Sequence, residues 1–218
     1  MMVTKRASRH VRRLLTINSG SSSLKAALYH LDQAERLDLA AQIDRIGLPD
    51  SRVHIADTRG VTVLEQQGAP QRGPRDHHTA LQTLLTGLHH NGADQDLDAV
   101  GHRVVHGGSH YSQPQLITAE LIATLKQLVP LAPDHLPQAI DAIEAVGHAY
   151  PALPQVACFD TAFHRHMPTA AQMYALPRQL WDTGVVRYGF HGLSYESIMH
   201  ELRAVDGAAA DGRVIIAH

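Results

Sequence analysis

Apolar positions first come in short runs. Residues 14–17 and 24–29 are two of them, parted by small polar residues at 18–23, and they predict two strands joined by a turn. Runs at 53–56 and 61–64 flank Asp57, Thr58, Arg59 and Gly60, which predicts a hairpin with glycine in its turn. Then the period changes. Leu81, Leu84, Leu85 and Leu88 fall at i, i+3, i+4 and i+7, the spacing of one helix face. Residues 97–105 read as a buried strand. Helices are expected at 118–129 and 136–149, the first capped by Thr118 with Glu120 in its opening turn. A strand at 156–159, a helix at 194–205 and a last strand at 214–217 complete the pattern, with residues 207–212 as a turn or linker. Strands that dominate early and then alternate with helices predict α/β layering. No internal repeat or low-complexity tract interrupts it.

Composition narrows this picture. The 218 residues are 44% hydrophobic but only 5% aromatic, so the core must be built of aliphatic side chains and alanine. A net charge of −2 gives no electrostatic case for nucleic acid or an acidic membrane as partner. The exception is residues 1–13, where Lys5, Arg6, Arg9, Arg12 and Arg13 stand without an acid among them. They read as a solvated basic tail, a transit peptide being the other reading. No long apolar run follows, so neither a secretory signal nor a membrane span is expected. Cys158 stands alone, which makes a reducing, cytoplasmic setting the expectation. The pairs His77/His78, His89/His90 and His164/His166 invite a metal reading. Structural zinc asks for four convergent ligands, usually including cysteine, and the first two pairs flank one helix whose ends are expected to be solvated.

Four segments carry chemistry. INSGSSSLK (residues 17–25) lies between two strands, where small residues admit a phosphate, amides and hydroxyls donate to it, and Lys25 adds charge. Its spacing is not that of a Walker loop, and a Ser-rich linker is the bland alternative. GHRVVHGG (101–108) puts Arg103 and His106 at the end of a buried strand, where open α/β sheets bind ligands. The planar fork of an arginine suits a carboxylate there, and pairing with a structural aspartate is the alternative. FDTAFHRHMP (159–168) places Asp160 after another strand, either on the Mg²⁺ side of a site or as a helix cap. YGFHG (188–192) holds His191 beside glycine, close to a ligand or simply in a loop.

In this order the four segments resemble the acetate kinase family, over residues 14–218. The resemblance implies the fold of actin, Hsp70 and the sugar kinases: a ribonuclease H-like α/β domain, a mixed sheet flanked by helices, with a second domain missing from this chain. It implies a basic tail at 1–13, an amino-terminal domain over 14–206 and the start of the second domain at 207–218. It implies transfer of the ATP γ-phosphoryl to a short carboxylate, with ATP/ADP and Mg²⁺ as cofactors. Asn18 would lie near the metal. Ser21, Ser22, Ser23 and Lys25 would face the nucleotide, and His218 would open a glycine-rich phosphate loop. Arg103 would hold the carboxylate between the apolar walls Val105, Leu131 and Phe190. Asp160 would be the catalytic acid, read here mainly as orienting Mg²⁺, and His191 would stabilise the transferring phosphoryl group. The full-length enzyme would be a homodimer. Leu131-Ala-Pro-Asp-His-Leu-Pro137 stands where the family commonly has L-H-N-P, and Gly192-Leu-Ser-Tyr195 where it has G-T-S-H. The first touches the substrate wall, so propionate or a slightly larger acid stays open beside acetate. Two other classes also stay open: a non-catalytic fragment that binds carboxylate or phosphate, and an actin-like nucleotide-binding regulator.

Overall fold

The computed structural model describes residues 13–67 and 73–218. The basic leader up to residue 12 lies outside the described residues, while Arg13 already opens the first strand. β1 (Arg13–Ser19) turns into β2 (Ser23–Leu31), and β3 (Glu35–Asp44), β4 (Arg52–Asp57) and β5 (Thr62–Gln67) extend an antiparallel meander. Helix α1 (His77–His90) then crosses over to β6 (Ala99–Val104), which lies parallel to β1. The short edge strand β7 (Gln115–Leu116) and helices α2 (Ala119–Leu128) and α3 (Leu136–Ala149) lead to β8 (Gln155–Phe159), parallel to β6. The described strands form one sheet in the order β5-β4-β3-β2-β1-β6-β8-β7. A 3₁₀ turn (Ala162–His166), helices α4 (Thr169–Gln172) and α5 (Arg178–Asp182), then α6 (Gly192–Val205) and α7 (Gly207–Ala210) complete the path.

Alternation decides which face is buried. Leu15 and Ile17 of β1, Leu24, Ala26 and Leu28 of β2 and Ile43 of β3 point to one side, and α1 covers them with Leu81, Leu84 and Leu88. A second cluster joins Val104, Ala157 and Phe159 to Leu121 and Leu125 of α2 and Leu136, Ile140 and Ile143 of α3. Each of these leucines and isoleucines contributes about 1.5–3 kcal/mol by leaving water. Asp76 starts α1 by accepting from Thr79 N–H at 2.7 Å, and Thr118 does the same for α2 with Leu121 N–H at 3.2 Å. Toward the opposite face, burial and the nearby Glu196 of α6 raise the pKa of Cys158. No helix of the described residues is long and apolar enough to cross a membrane.

Several elements differ from expectation; β7, α4 and α5 are short ones that no apolar period marked. β3 was not anticipated, although Leu37, Leu39, Ala41 and Ile43 alternate, because glutamate, aspartate, alanine and glutamine are poor strand formers. Residues 207–212 hold the short helix α7, capped by Asp206 through Ala209 N–H at 3.0 Å. Residues 214–217 are not a strand. They pair with no described strand, and Ile215 is 97% exposed. An isolated extended segment has no neighbour to take its backbone hydrogen bonds.

Candidate active site

β1, β6 and β8 are adjacent, parallel and end on the same side of the sheet. Their carboxyl ends bring together Asn18, Arg103 and Asp160. Arg103 Nη2 donates to Asp160 Oδ2 at 2.6 Å, Arg103 Nε donates to both carboxylate oxygens at 3.1 Å, and Arg103 Nη1 donates to Asn18 Oδ1 at 3.1 Å. Asp160 is held through its backbone as well. Its N–H donates to Val104 C=O and its C=O accepts from Gly192 N–H, both at 3.0 Å. Arg103 thus pairs with an aspartate, the alternative that its motif left open. Its partner is the acid that the motifs had singled out.

The turn after β6 is fixed from two sides. Gly107 N–H donates to Thr161 Oγ1 at 3.2 Å, and Gly108 N–H donates to His106 Nδ1 at 2.8 Å. That bond leaves the proton of the neutral ring on Nε2. Burial pushes the His106 pKa below its usual value, so the ring is neutral at pH 7. It packs edge-on against Tyr188 at 4.5 Å and Phe190 at 5.6 Å. Phe190 thus lies against the residue after Val105. Leu131 is 54% exposed in a 3₁₀ turn and belongs to neither core cluster. A cavity of about 260 Å³ opens nearby, lined by Thr161, His164, Arg165, Arg187 and Tyr188 among others. Arg103, Val105, Leu131 and Phe190 are not among its walls.

His191 caps α6 in the left-handed region, at φ 60° and ψ 20°. A side chain is rarely held there, and such conformations gather at functional positions. The next residue must be small, since a Cβ on Gly192 would lie 2.2 Å from Asp160 C=O. The ring of His191 stands 4.2 Å from that of His218, so these two expected site residues do meet. Lys25 is exposed on β2 and pairs across the ladder with Asn18. Ser21 and Ser22 are exposed in the loop, Ser23 less so. The Ser19 hydroxyl is buried at the loop's root without a hydrogen-bond partner among the described residues. One residue escaped the sequence reading. His77, expected at a solvated helix end, is half-buried, and its Nε2 donates to Gly20 C=O at 2.6 Å.

The donor set fits Mg²⁺ as a partial site. Asp160 and Asn18 carry hard oxygen atoms, here turned to Arg103, and Mg²⁺ typically takes one or two carboxylates together with substrate phosphates and water. No group of three or more His, Cys, Asp or Glu among the described residues could hold a metal by itself. The loop fits a phosphate through exposed serines, the orphaned Ser19 hydroxyl and Lys25.

The mixed eight-stranded sheet flanked by helices, with loops at the ends of three parallel strands, defines an α/β domain of the class in which ligands bind at strand ends. Residues 13–218 match the model of the Acetokinase family, and the chain belongs to that family. It is 41% identical over 213 residues to an acetate kinase of Methylocella silvestris, covering 95% of this chain and 53% of that protein. An acetate kinase of Rhodopseudomonas palustris is 43% identical over 212 residues, covering 94% and 52%. Among solved structures, Porphyromonas gingivalis acetate kinase superposes with a TM-score of 0.76 at 33% identity, over 92% of this chain and 50% of that one. A propionate kinase of Francisella tularensis gives 0.75 at 29% identity, over 89% and 49%. The chain spans about half the length of the relatives it matches.

Proposed function

We propose that this chain supplies the carboxylate- and phosphate-facing half of an acetate kinase, which interconverts ATP plus acetate with acetyl phosphate plus ADP. The observation that carries the reading is the Arg103 guanidinium, held by Asp160 and Asn18 at the ends of three parallel strands. Arginine has five N–H groups. Asp160 and Asn18 engage Nε, one N–H on Nη2 and one on Nη1, which leaves two for an acetate oxygen pair. Acetate is already ionised at pH 7, because carboxyl groups titrate near 4, and it needs no general base. One acetate oxygen attacks the γ-phosphorus. The bond from that phosphorus to the ADP oxygen breaks, and ADP keeps the electron pair. Such a transition state is loose and anionic, and aligned positive charge is what lowers it. Arg103 supplies that charge on the acceptor side and His191 stabilises the transferring phosphoryl group, while Lys25 and the serines of the loop hold the phosphates. Asp160 and Asn18 would hold Mg²⁺, which would add positive charge beside the phosphates. Acetate is favoured over propionate because relatives 41–43% identical are named acetate kinase, whereas the propionate kinase structure is 29% identical.

The test joins this chain to the remaining half of the Rhodopseudomonas palustris relative and measures acetyl phosphate as its hydroxamate. Acetate-dependent turnover is expected. Arg103→Ala should lower kcat/KM for acetate roughly 30- to 1,000-fold, equivalent to about 2–4 kcal/mol for a charge-assisted double contact. A folded, ATP-binding chimera that phosphorylates no short carboxylate would overturn the reading.

A further inference from the structure

The loop between β1 and β2 is short, yet three hydrogen bonds hold its backbone. Gly20 N–H donates to Ser23 C=O at 2.8 Å, closing the turn, and Ile46 N–H donates to Ser22 C=O at 3.0 Å. The third comes from a side chain 57 residues away: His77 Nε2, on the first residue of α1, reaches Gly20 C=O at 2.6 Å. A carbonyl only accepts, so the ring carries its proton on Nε2. The Gly20–Ser21 peptide is trans, since the described chain has no cis bond. In a trans peptide the C=O and the following N–H point in opposite directions within one plane. With Gly20 C=O held toward α1, Ser21 N–H is aimed away from it. Ser21 itself is exposed.

We propose that His77 is a positioning residue for the phosphate-facing loop: by gripping Gly20 C=O it fixes the Gly20–Ser21 peptide so that Ser21 N–H is presented to anionic phosphoryl oxygens. This rests on the reading of residues 18–25 as the nucleotide side of the site. Without the grip, the peptide plane beside a glycine is free to rotate, and the amide would turn inward in part of the population. The helix is well placed to hold the ring. Asp76 caps it, and Ala80, Leu81 and Leu84 seat it in the core, so its first residue cannot drift from the loop.

The experiment uses the 218-residue chain labelled with ¹⁵N, alone and titrated with MgATP, as wild type, His77→Ala and His77→Gln. Glutamine keeps an N–H donor at the reach of Nε2. Long-range ¹H–¹⁵N spectra should show the wild-type ring protonated on Nε2. Amide exchange at Gly20 and Ile46 should quicken at least tenfold in His77→Ala, with Leu84 and Val100 unchanged, and return most of the way in His77→Gln. MgATP should shift the Ser21–Ser23 amides of the wild type, and His77→Ala should need at least fivefold more of it. A ring protonated on Nδ1 alone, or exchange at Gly20 and Ile46 that ignores the substitution, would overturn the grip. A loosened loop with unchanged MgATP response would overturn its role in presenting Ser21. If MgATP leaves the wild type untouched, the nucleotide reading fails, and the ring and exchange measurements still decide whether His77 holds the loop.

Discussion

The Arg103 side chain is 31% exposed, while the Asp160 carboxylate it covers is 1% exposed. Removing either partner leaves the other behind, and the buried one is dearer to strand. Arg103→Ala should therefore destabilise the chain by about 2–4 kcal/mol at pH 7, with Asp160→Asn costing less, about 1–2 kcal/mol. Urea unfolding of both variants checks the order, and a reversal would mean that Asp160 is held mainly by its backbone bonds. His102 gives a pH signature. Burial lowers its pKa to about 4, against a smaller opposing effect of its bond to Gln155 at 2.7 Å. Between about 4 and 6.5 the unfolded chain binds the proton that the folded chain refuses, so stability rises with pH across that window. The loss on acidification from pH 6.5 to 4 should reach on the order of 3 kcal/mol from this residue. Urea midpoints from pH 7 to 4.5 should be flatter in His102→Gln than in wild type. At this scale the sequence marked Arg103, Asp160 and His191 one at a time, and Asn18 only through the family resemblance. The contacts of Arg103 with Asn18 and Asp160 were not legible from local pattern, because a contact across 85 residues between Asn18 and Arg103 leaves none. His77 was hidden for the same reason, its partner being a backbone carbonyl that has no sequence signature at all.

Between strand and helix, the geometry turns on residues 191 and 192. His191 sits at φ 60°, where glycine is at ease and other residues are strained by about 1 kcal/mol or more. His191→Gly should leave the melting temperature unchanged or raise it, and His191→Ala should lower it relative to His191→Gly. Equal melting temperatures would show that the strain is absent in solution. Gly192→Ala has no such latitude, because its Cβ would meet Asp160 C=O and Phe163 Cβ at 2.2 and 2.6 Å. It should cost about 2–4 kcal/mol and displace Asp160, lowering Mg²⁺-dependent nucleotide binding as well as stability. Elements with a strong period could be read in advance: α3 falls at 136–149 as expected, and the hairpin of β4 and β5 closes on Gly60 at φ 77°. β3 could not, since its alternation is carried partly by alanine and its exposed face by charge. The expected strand at 214–217 shows the converse. Val214, Ile215 and Ile216 have every local preference for a strand, yet no described neighbour pairs with them.

For the molecule as a whole, the site presents Arg103 already engaged, Lys25 exposed on β2 and a strained His191, while the chain spans about half the length of the relatives it matches. In-line alignment of ATP contributes much of the rate of phosphoryl transfer, and half of a site aligns it poorly. The 218 residues alone should therefore show no measurable turnover with ATP, Mg²⁺ and acetate. Turnover within a hundredfold of a full-length relative, from material free of host enzyme, would show that one half suffices. The tie between Asn18, Arg103 and Asp160 also bears on the order of events as the chain collapses. Its three members come from strands that adjoin only after two crossovers, with Arg103 lying 85 residues from one partner and 57 from the other. Links this distant close late, because the intervening loops must first be ordered. Cutting this one should quicken unfolding and leave refolding nearly unaltered, a one-armed change in the chevron of Arg103→Ala. A slower refolding arm would place the charged cluster in the nucleus. If it forms late, the chemistry of the site is the last thing the domain acquires and the first thing it surrenders.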